Sequence, residues 1–316
     1  MKQTICLIII SILINHACAQ VALMEHEWNV TLKVVDESGQ PVAAAKASVG
    51  YFSKSQPKSI DGLTDTNGIF RASHRAYSGI LGFTAEKAGF YITREPSYEL
   101  GFTYDQVKWN PTQVIILKKI GKPIPMYVRK AQIEIPTVDK PIGFDLVKGD
   151  WVAPYGKGNG SDLVFQAQRR FVDWQDFDSS FKLTFSNVGD GLLPVNITSE
   201  QGSVLRMPAI APESGYGPEI SQFFNHTPSK RWEKSKKEDQ NYYFRIRTAR
   251  DENGKIKSAL YGKIYGDFSI DTINSKTMIV SFQYYLNPDP NSRNVEFDPR
   301  QNLMKNLKPL EGVTEP

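Results

Sequence analysis

The chain reads as all-β, two antiparallel β domains in series behind a short leader: a β-sandwich first, then a second sandwich or jelly-roll-like domain. Three observations predict this. Apolar residues alternate with polar ones at a period of two in run after run; turn residues interrupt those runs at short intervals; and no helix-period stretch separates the strands of the first half. Short strands without intervening helices exclude an α/β sheet.

The leader is read from Met1-Lys2-Gln3-Thr4, an apolar run from Ile5 to Ile14, and Ala17-Cys18-Ala19. A charged start, a short apolar centre and small residues before a cleavage point make a secretory signal, with cleavage expected near Ala19. The apolar run is shorter than the roughly 20 residues that cross a bilayer, and no later stretch is apolar enough to serve as a transmembrane segment. A lipid anchor on Cys18 would want an aliphatic residue three places earlier, where Asn15 stands. Residues 1–19 are therefore expected to be removed, and the rest to be secreted, periplasmic or at the cell surface.

Both cysteines, Cys6 and Cys18, fall in that leader. What remains would have no disulfide, thiolate nucleophile or cysteine metal site, and must be held by burial alone. Lys and Arg number 38 against 34 Asp and Glu, a net charge of +4. Nucleic-acid binders carry a strong basic patch, which this near-neutral balance argues against. The one basic cluster, Lys230 to Lys237, is diluted by Glu233 and Glu238 and reads as a solvated loop. A cysteine-free chain with this signal points to bacterial export, so the sequons at Asn29, Asn159, Asn196 and Asn225 are expected to stay unmodified.

The first strand is expected over Val30, Leu32 and Val34, closed by Asp36-Glu37-Ser38-Gly39 and Pro41. A second follows over Lys46 to Phe52. Asn67-Gly68 then supplies the positive backbone angles of a tight hairpin. Further strands are expected over Ile80 to Lys87 and Thr112 to Lys119.

Three segments in this order carry a resemblance: Val30 to Ala45 with its Ser38-Gly39-Gln40-Pro41 turn, Thr64-Asp65-Thr66-Asn67-Gly68-Ile69-Phe70, and Glu86-Lys87-Ala88-Gly89-Phe90. The stretch from Trp28 to Lys119 resembles the carboxypeptidase regulatory-like domain. That resemblance implies a seven-stranded, Ig-like or transthyretin-like sandwich, also classed as a carbohydrate-binding-like fold, and an appendage without peptidase residues. Ala44 stands where the family often has glycine, and Tyr91 to Pro111 is longer and more aromatic than a plain strand connection. Function has to come from a site, since such a fold is a scaffold.

Residues 20–119 are thus assigned to the first domain. Residues 120–142 hold Pro123, Pro125, Pro136 and Pro141 and read as a stiff extended connector, with an added edge strand as the other reading. Residues 143–287 form the second domain. Its patterns include Leu163-Phe165-Ala167, Phe181-Leu183-Phe185, and a hairpin joining Tyr242–Thr248 to Ile256–Ile264 through Asp251-Glu252-Asn253-Gly254. The last strand runs from Met278 to Leu286. Pro212 to Gln240 reads as a long loop with room for one short helix. Residues 288–316 read as a polar tail, loosely held or draped over the surface.

No linear pattern here makes an active site. His26, His74 and His226 are far apart in sequence and lie outside any H-E-x-x-H pattern, which argues against zinc hydrolysis. No G-x-S-x-G elbow occurs. Gly156-Lys157-Gly158-Asn159-Gly160-Ser161 lacks the Gly-Lys-Ser/Thr end of a phosphate loop. Asp65-Thr66-Asn67-Gly68 lacks the partners of a calcium loop, although calcium held by scattered loop oxygens stays open. No cofactor is expected.

One local cluster stands out, Phe171-Val172-Asp173-Trp174-Gln175-Asp176-Phe177-Asp178. Aromatic rings stack on the apolar face of a sugar while carboxylates accept its hydroxyls, so Trp174, Asp173 and Asp176 are candidate ligand-binding residues. The same residues suit a turn with Trp174 in the core and the aspartates in water. Trp151 and Tyr155 form a second candidate aromatic pair. The expected role is an exported, non-catalytic binding or accessory protein whose partner is a glycan or an envelope component. A glycoside-active enzyme drawing on Asp173, Asp176 and Asp178 is one alternative. A structural protein that docks a partner through a sandwich edge is the other.

Overall fold

The computed structural model describes residues 26–51, 58–76, 80–99, 110–138, 140–197, 202–272 and 277–316; the leader lies outside them. The described residues contain strands and turns and no helix, an all-β fold. The chain divides into two compact units, Met1–Ile120 with Ser199–Val204, and Gly121–Thr198 with Leu205–Pro316.

The first unit holds β1 (His26–Asp36), β2 (Lys46–Tyr51), β3 (Lys58–Leu63), β4 (Ile69–Ala76), β5 (Ile80–Glu86), β6 (Thr93–Glu99) and β7 (Thr112–Leu117). They form a three-stranded sheet β4-β1-β7 and a four-stranded sheet β3-β2-β5-β6. Alternation buries Trp28, Val30, Leu32 and Val34 of β1 against Ala47, Val49 and Tyr51 of β2. β1 and β7 run parallel, while every other strand pair in the unit is antiparallel. A short piece of later sequence completes the unit. Ser203 bridges Thr93, and Arg94 N donates to the Gly202 carbonyl at 2.9 Å.

Three turns share one design, Asp36–Gly39, Asp65–Gly68 and Asp251–Gly254. In each, the aspartate Oδ1 accepts the N–H groups two and four residues on, all at 2.9 Å. The glycine N–H returns to the aspartate carbonyl, and the glycine lies at φ +77, +73 or +76°, where an L side chain is strained. The Asp251 turn closes the expected hairpin. The Asp65 turn does not: it joins β3 to β4, which belong to different sheets, so the tight-hairpin expectation at Asn67-Gly68 is corrected to a corner between sheets. The corner packs so closely on β1 that a Cβ on Gly68 would lie 2.3 Å from the Val34 carbonyl oxygen.

The second unit holds β8 (Ile124–Glu134), β9 (Pro141–Asp145), β10 (Asp150–Trp151), β11 (Leu163–Asp173), β12 (Asp176–Thr184), β13 (Gly191–Asn196), β14 (Glu219–Thr227), β15 (Lys230–Lys234), β16 (Gln240–Arg250), β17 (Ile256–Asp271), β18 (Ile279–Leu286) and β19 (Phe297–Asn302). Two six-stranded sheets result, β10-β9-β11-β12-β14-β15 and β13-β16-β17-β18-β8-β19. One large core joins them, with Phe144, Trp151, Phe165, Phe181, Phe244 and Phe268 among its rings. The second sheet is covered on its other face as well, by a smaller core in which Met207, Ala211, Val295 and Phe297 pack on Tyr243 and Tyr285.

Three expectations change here. Residues 120–142 are no free connector, because 124–134 form an interior strand between β18 and β19. The prolines spare the ladder: pairing with β18 runs from Tyr127 to Glu134, between Pro125 and Pro136. Pro212 to Gln240 holds no helix; it contains β14 and β15, joined through the two residues Pro228-Ser229. The basic cluster from Lys230 is thereby a strand at its start rather than a loop. The 288–316 tail is held firmly, with Phe297 buried and Arg129 Nη2 bonded to Glu311 Oε1 at 2.6 Å.

Candidate functional site

β11 and β12 form a hairpin whose tip is Trp174-Gln175, and β14 continues the sheet beside β12. Pairing sets Phe177 opposite His226 and Ser179 opposite Phe224, while β15 adds Trp232 beyond them. Because side chains alternate across a strand, Phe224 and His226 share one face. The result is a continuous row of rings. His226 stacks on Trp232 with centroids 4.8 Å apart and planes 5° from parallel. Trp232 also stacks on Phe224 at 5.4 Å, and Trp174 on His226 at 6.4 Å. Phe177 lies beneath, edge-on to Phe224 and Trp232. His226 Nδ1 donates to the Trp174 carbonyl at 2.9 Å, tying the hairpin tip to β14.

Phe177 and His226 are buried, whereas Trp174 keeps 60% and Trp232 52% of its surface in water. Two large rings exposed beside a packed ring are the unusual feature, since large aromatic surface is ordinarily buried. The carboxylates at the tip differ in how free they are. Asp176 Oδ1 accepts from Arg170 Nη2 at 2.5 Å, a bond that holds its carboxyl below the usual aspartate range. Asp173 Oδ1 caps the tip through Gln175 N at 2.7 Å, and Asp178 is exposed on β12.

The two predicted aromatic groups fare differently. The Trp174 cluster does form a turn, but Trp174 is on the surface and outside the core. Trp151 is the core residue: it is 6% exposed, edge-on to Phe144 and Phe165, and its Nε1 donates to the Glu134 carbonyl. The expectation of a Trp151–Tyr155 binding pair is therefore corrected, because Trp151 points between the sheets while Tyr155 stays exposed.

The glycine-rich segment 156–161 wraps the protein's own carboxylates. Lys157 N donates to Asp150 Oδ2, and Asn159 N and Gly160 N donate to Asp145 Oδ2. Asp145 Oδ1 accepts Val147 N and Lys148 N. Burial alone would raise the Asp145 carboxyl, yet these four N–H groups together hold it below the usual range. Beside it, Asp162 binds Arg247 through both oxygens, at 2.7 and 2.9 Å, and Leu146 N at 2.9 Å. Burial pushes the Asp162 carboxyl up despite those bonds. With their oxygens occupied by backbone amides and one guanidinium, these aspartates pin loops together.

Sequence reasoning missed Trp232, His226 and Phe224. The signal was present in Phe224-Asn225-His226, a period-two pair ahead of Pro228-Ser229, but the mixed charges after it concealed the hairpin. Among the described residues, no three His, Cys, Asp or Glu side chains are grouped to hold a metal, and no helix is long and apolar enough to cross a membrane.

No family model matches the chain, and no curated protein matches it. Among solved structures it is similar to a DUF3823 family protein from Parabacteroides merdae, at 10% identity and a TM-score of 0.20, over 86% of this chain and 98% of that one. It is also similar to BcpA, the major pilin subunit of Bacillus cereus, at 12% identity and a TM-score of 0.22, over 81% of this chain and 95% of that one.

Proposed function

We propose that the protein is an exported, non-catalytic binding module whose second unit recognises a glycan on the Trp174–His226–Trp232 row. The observation that carries this reading is the pair of exposed tryptophans fixed beside a packed histidine. Fixed rings bind a sugar face without the entropy of ordering flexible side chains, and Asp173, next to Trp174 at the hairpin tip, offers a carboxylate that suits sugar hydroxyls. The first unit, with its seven strands and the resemblance to the carboxypeptidase regulatory-like domain, serves as the scaffold in this reading, and the leader directs the chain outside the cytoplasm.

Glycosidase chemistry would need one carboxyl group with a raised pKa to act as acid. Asp176 is held in the opposite direction by Arg170, and the raised carboxyl of Asp162 is engaged by Arg247 and Leu146 N. Binding without turnover fits these residues better.

Affinity electrophoresis of the purified chain through gels containing different polysaccharides tests the reading. At least one polysaccharide should retard the protein, and Trp174→Ala and Trp232→Ala should each weaken that retention about tenfold, roughly 1.4 kcal/mol, without lowering the melting temperature. Retention unchanged in both variants, or no retention across neutral and acidic polysaccharides, would overturn it.

A further inference from the structure

The ring row does not end at Phe224. A cleft of about 220 Å³ begins there, lined by Gln222, Phe224, Lys234 and Lys236 on one side and Phe268 to Ile270 of β17 on the other. A second cleft of about 260 Å³ shares Lys236 and Ser269 with the first and adds Lys130, Lys237 and Gln283. Rings and clefts are thus contiguous through Phe224 and Lys236, all within the second unit.

The charge along the clefts is unbalanced toward the positive. Two acids line them. Asp267 accepts Gln222 Nε2, Tyr242 Oη and Phe268 N at Oδ1, and Lys237 N at Oδ2. Glu238 is bonded to Lys234 at 3.1 Å, and that bond, helped by Lys236, holds its carboxyl below the usual glutamate range. The donors on Asp267 are all neutral, so they leave its charge in the balance, and Glu238 is bonded to Lys234. Among the described residues, Lys130, Lys236 and Lys237 are in no ion pair; with Lys234 they set four ammonium groups against two carboxylates, an excess of two positive charges along the clefts. A groove with an excess of one sign of charge concentrates ligands of the other sign.

We infer that the ligand of this site is an acidic polysaccharide, whose sugar faces stack on Trp174 and Trp232 and whose carboxylate or sulfate groups pair with Lys130, Lys236 and Lys237. The inference rests on the glycan reading above and adds the chemical class. An acidic chain satisfies both halves of the track at once, whereas a neutral glycan would leave the ammonium groups unmatched.

Oligogalacturonate and its fully methyl-esterified form share one backbone and differ in charge; dextran sulfate and dextran make a second such pair. Binding of the full chain is measured by calorimetry at low and at physiological salt, because screening weakens exposed charge contacts. One acidic member should bind about tenfold or more tightly than its neutral partner, with the preference shrinking as salt rises. The Lys236→Gln/Lys237→Gln variant should lose most of that preference yet keep the affinity for the neutral form, while Trp232→Ala should weaken both. Equal binding of acidic and neutral members, with Trp232→Ala still weakening both, overturns the acidic inference and leaves the glycan reading standing. Binding to none of the four, or tighter binding to single-stranded DNA, whose bases also stack on aromatic side chains in basic grooves, overturns the inference. A preference that survives the lysine substitutions does so too.

Discussion

The two units build their interiors from different materials. The first buries mainly valine, alanine and leucine around Trp28 and Tyr51, and its corners are set by aspartate–glycine turns. The second threads an edge-to-face chain of rings through its core, from Phe144 and Trp151 through Phe165 and Phe181 to Phe268. At the surface the rings stack instead, the exposed Trp174 and Trp232 each lying on the buried His226. What separates a core ring from a surface ring in this unit is whether it has a facing sheet to pack against. Trp151, on the edge strand β10, pairs with Phe144 and packs in the core between the sheets, whereas Trp174 sits at a hairpin tip.

The largest effect that would break this comparison is at Trp151. Trp151→Ala should cost about 3–5 kcal/mol, as truncation of a buried aromatic residue does, seen as a fall in the urea midpoint. A near-neutral result would mean the ring chain is not what holds the second unit.

Turns give the next contrast. Gly68→Ala must meet the Val34 carbonyl at 2.3 Å, while Gly254→Ala meets nothing within 4 Å, although both glycines have positive φ. Gly254→Ala should cost about 1 kcal/mol from backbone strain alone, and Gly68→Ala more than about 2. Equal costs would show that the corner relaxes freely.

Acid sharpens the account of the buried aspartates. The Asp145 carboxyl is depressed in the folded protein, so its contribution is complete above the ordinary aspartate range and is lost as pH falls through the depressed value. Asp162 is raised, so its contribution is present below the ordinary range and is lost as pH rises through the raised value. Asp145→Asn should therefore flatten the acid side of the stability profile, and Asp162→Asn should not. Denaturant midpoints from about pH 2 to about pH 7 read this directly, since the Asp145 loss falls below the ordinary aspartate range. The smallest effect belongs to the platform: Trp174→Ala should change stability by about 0.5 kcal/mol or less, since its ring is mostly in water.

Local features were legible in the sequence. The alternation of Val30, Leu32 and Val34, the Asp251–Gly254 hairpin and the all-β class each follow from neighbouring residues. What escaped depends on distant partners. That 124–134 is an interior strand is decided by residues 279–286, and proline density hid it. The Asp65–Gly68 turn was recognised as a turn, but which sheets it joins is settled by packing on β1. At the candidate site, Trp174 was visible, while Trp232 and His226 join it only through the pairing of β12 with β14 and of β14 with β15. Trp151 and Trp174 look alike in sequence, and only the facing sheet tells them apart.

The central claim is that ligand recognition belongs to the ring row of the second unit and that the first unit is scaffold. Hydrogen–deuterium exchange of the full chain, with and without a polysaccharide that retards it in gels, tests this most directly. Protection confined to the β11–β12 tip and to residues 224–237, with no change across β1 to β7, is the predicted result. Protection centred on the first unit, with the ring row unaffected, would contradict it.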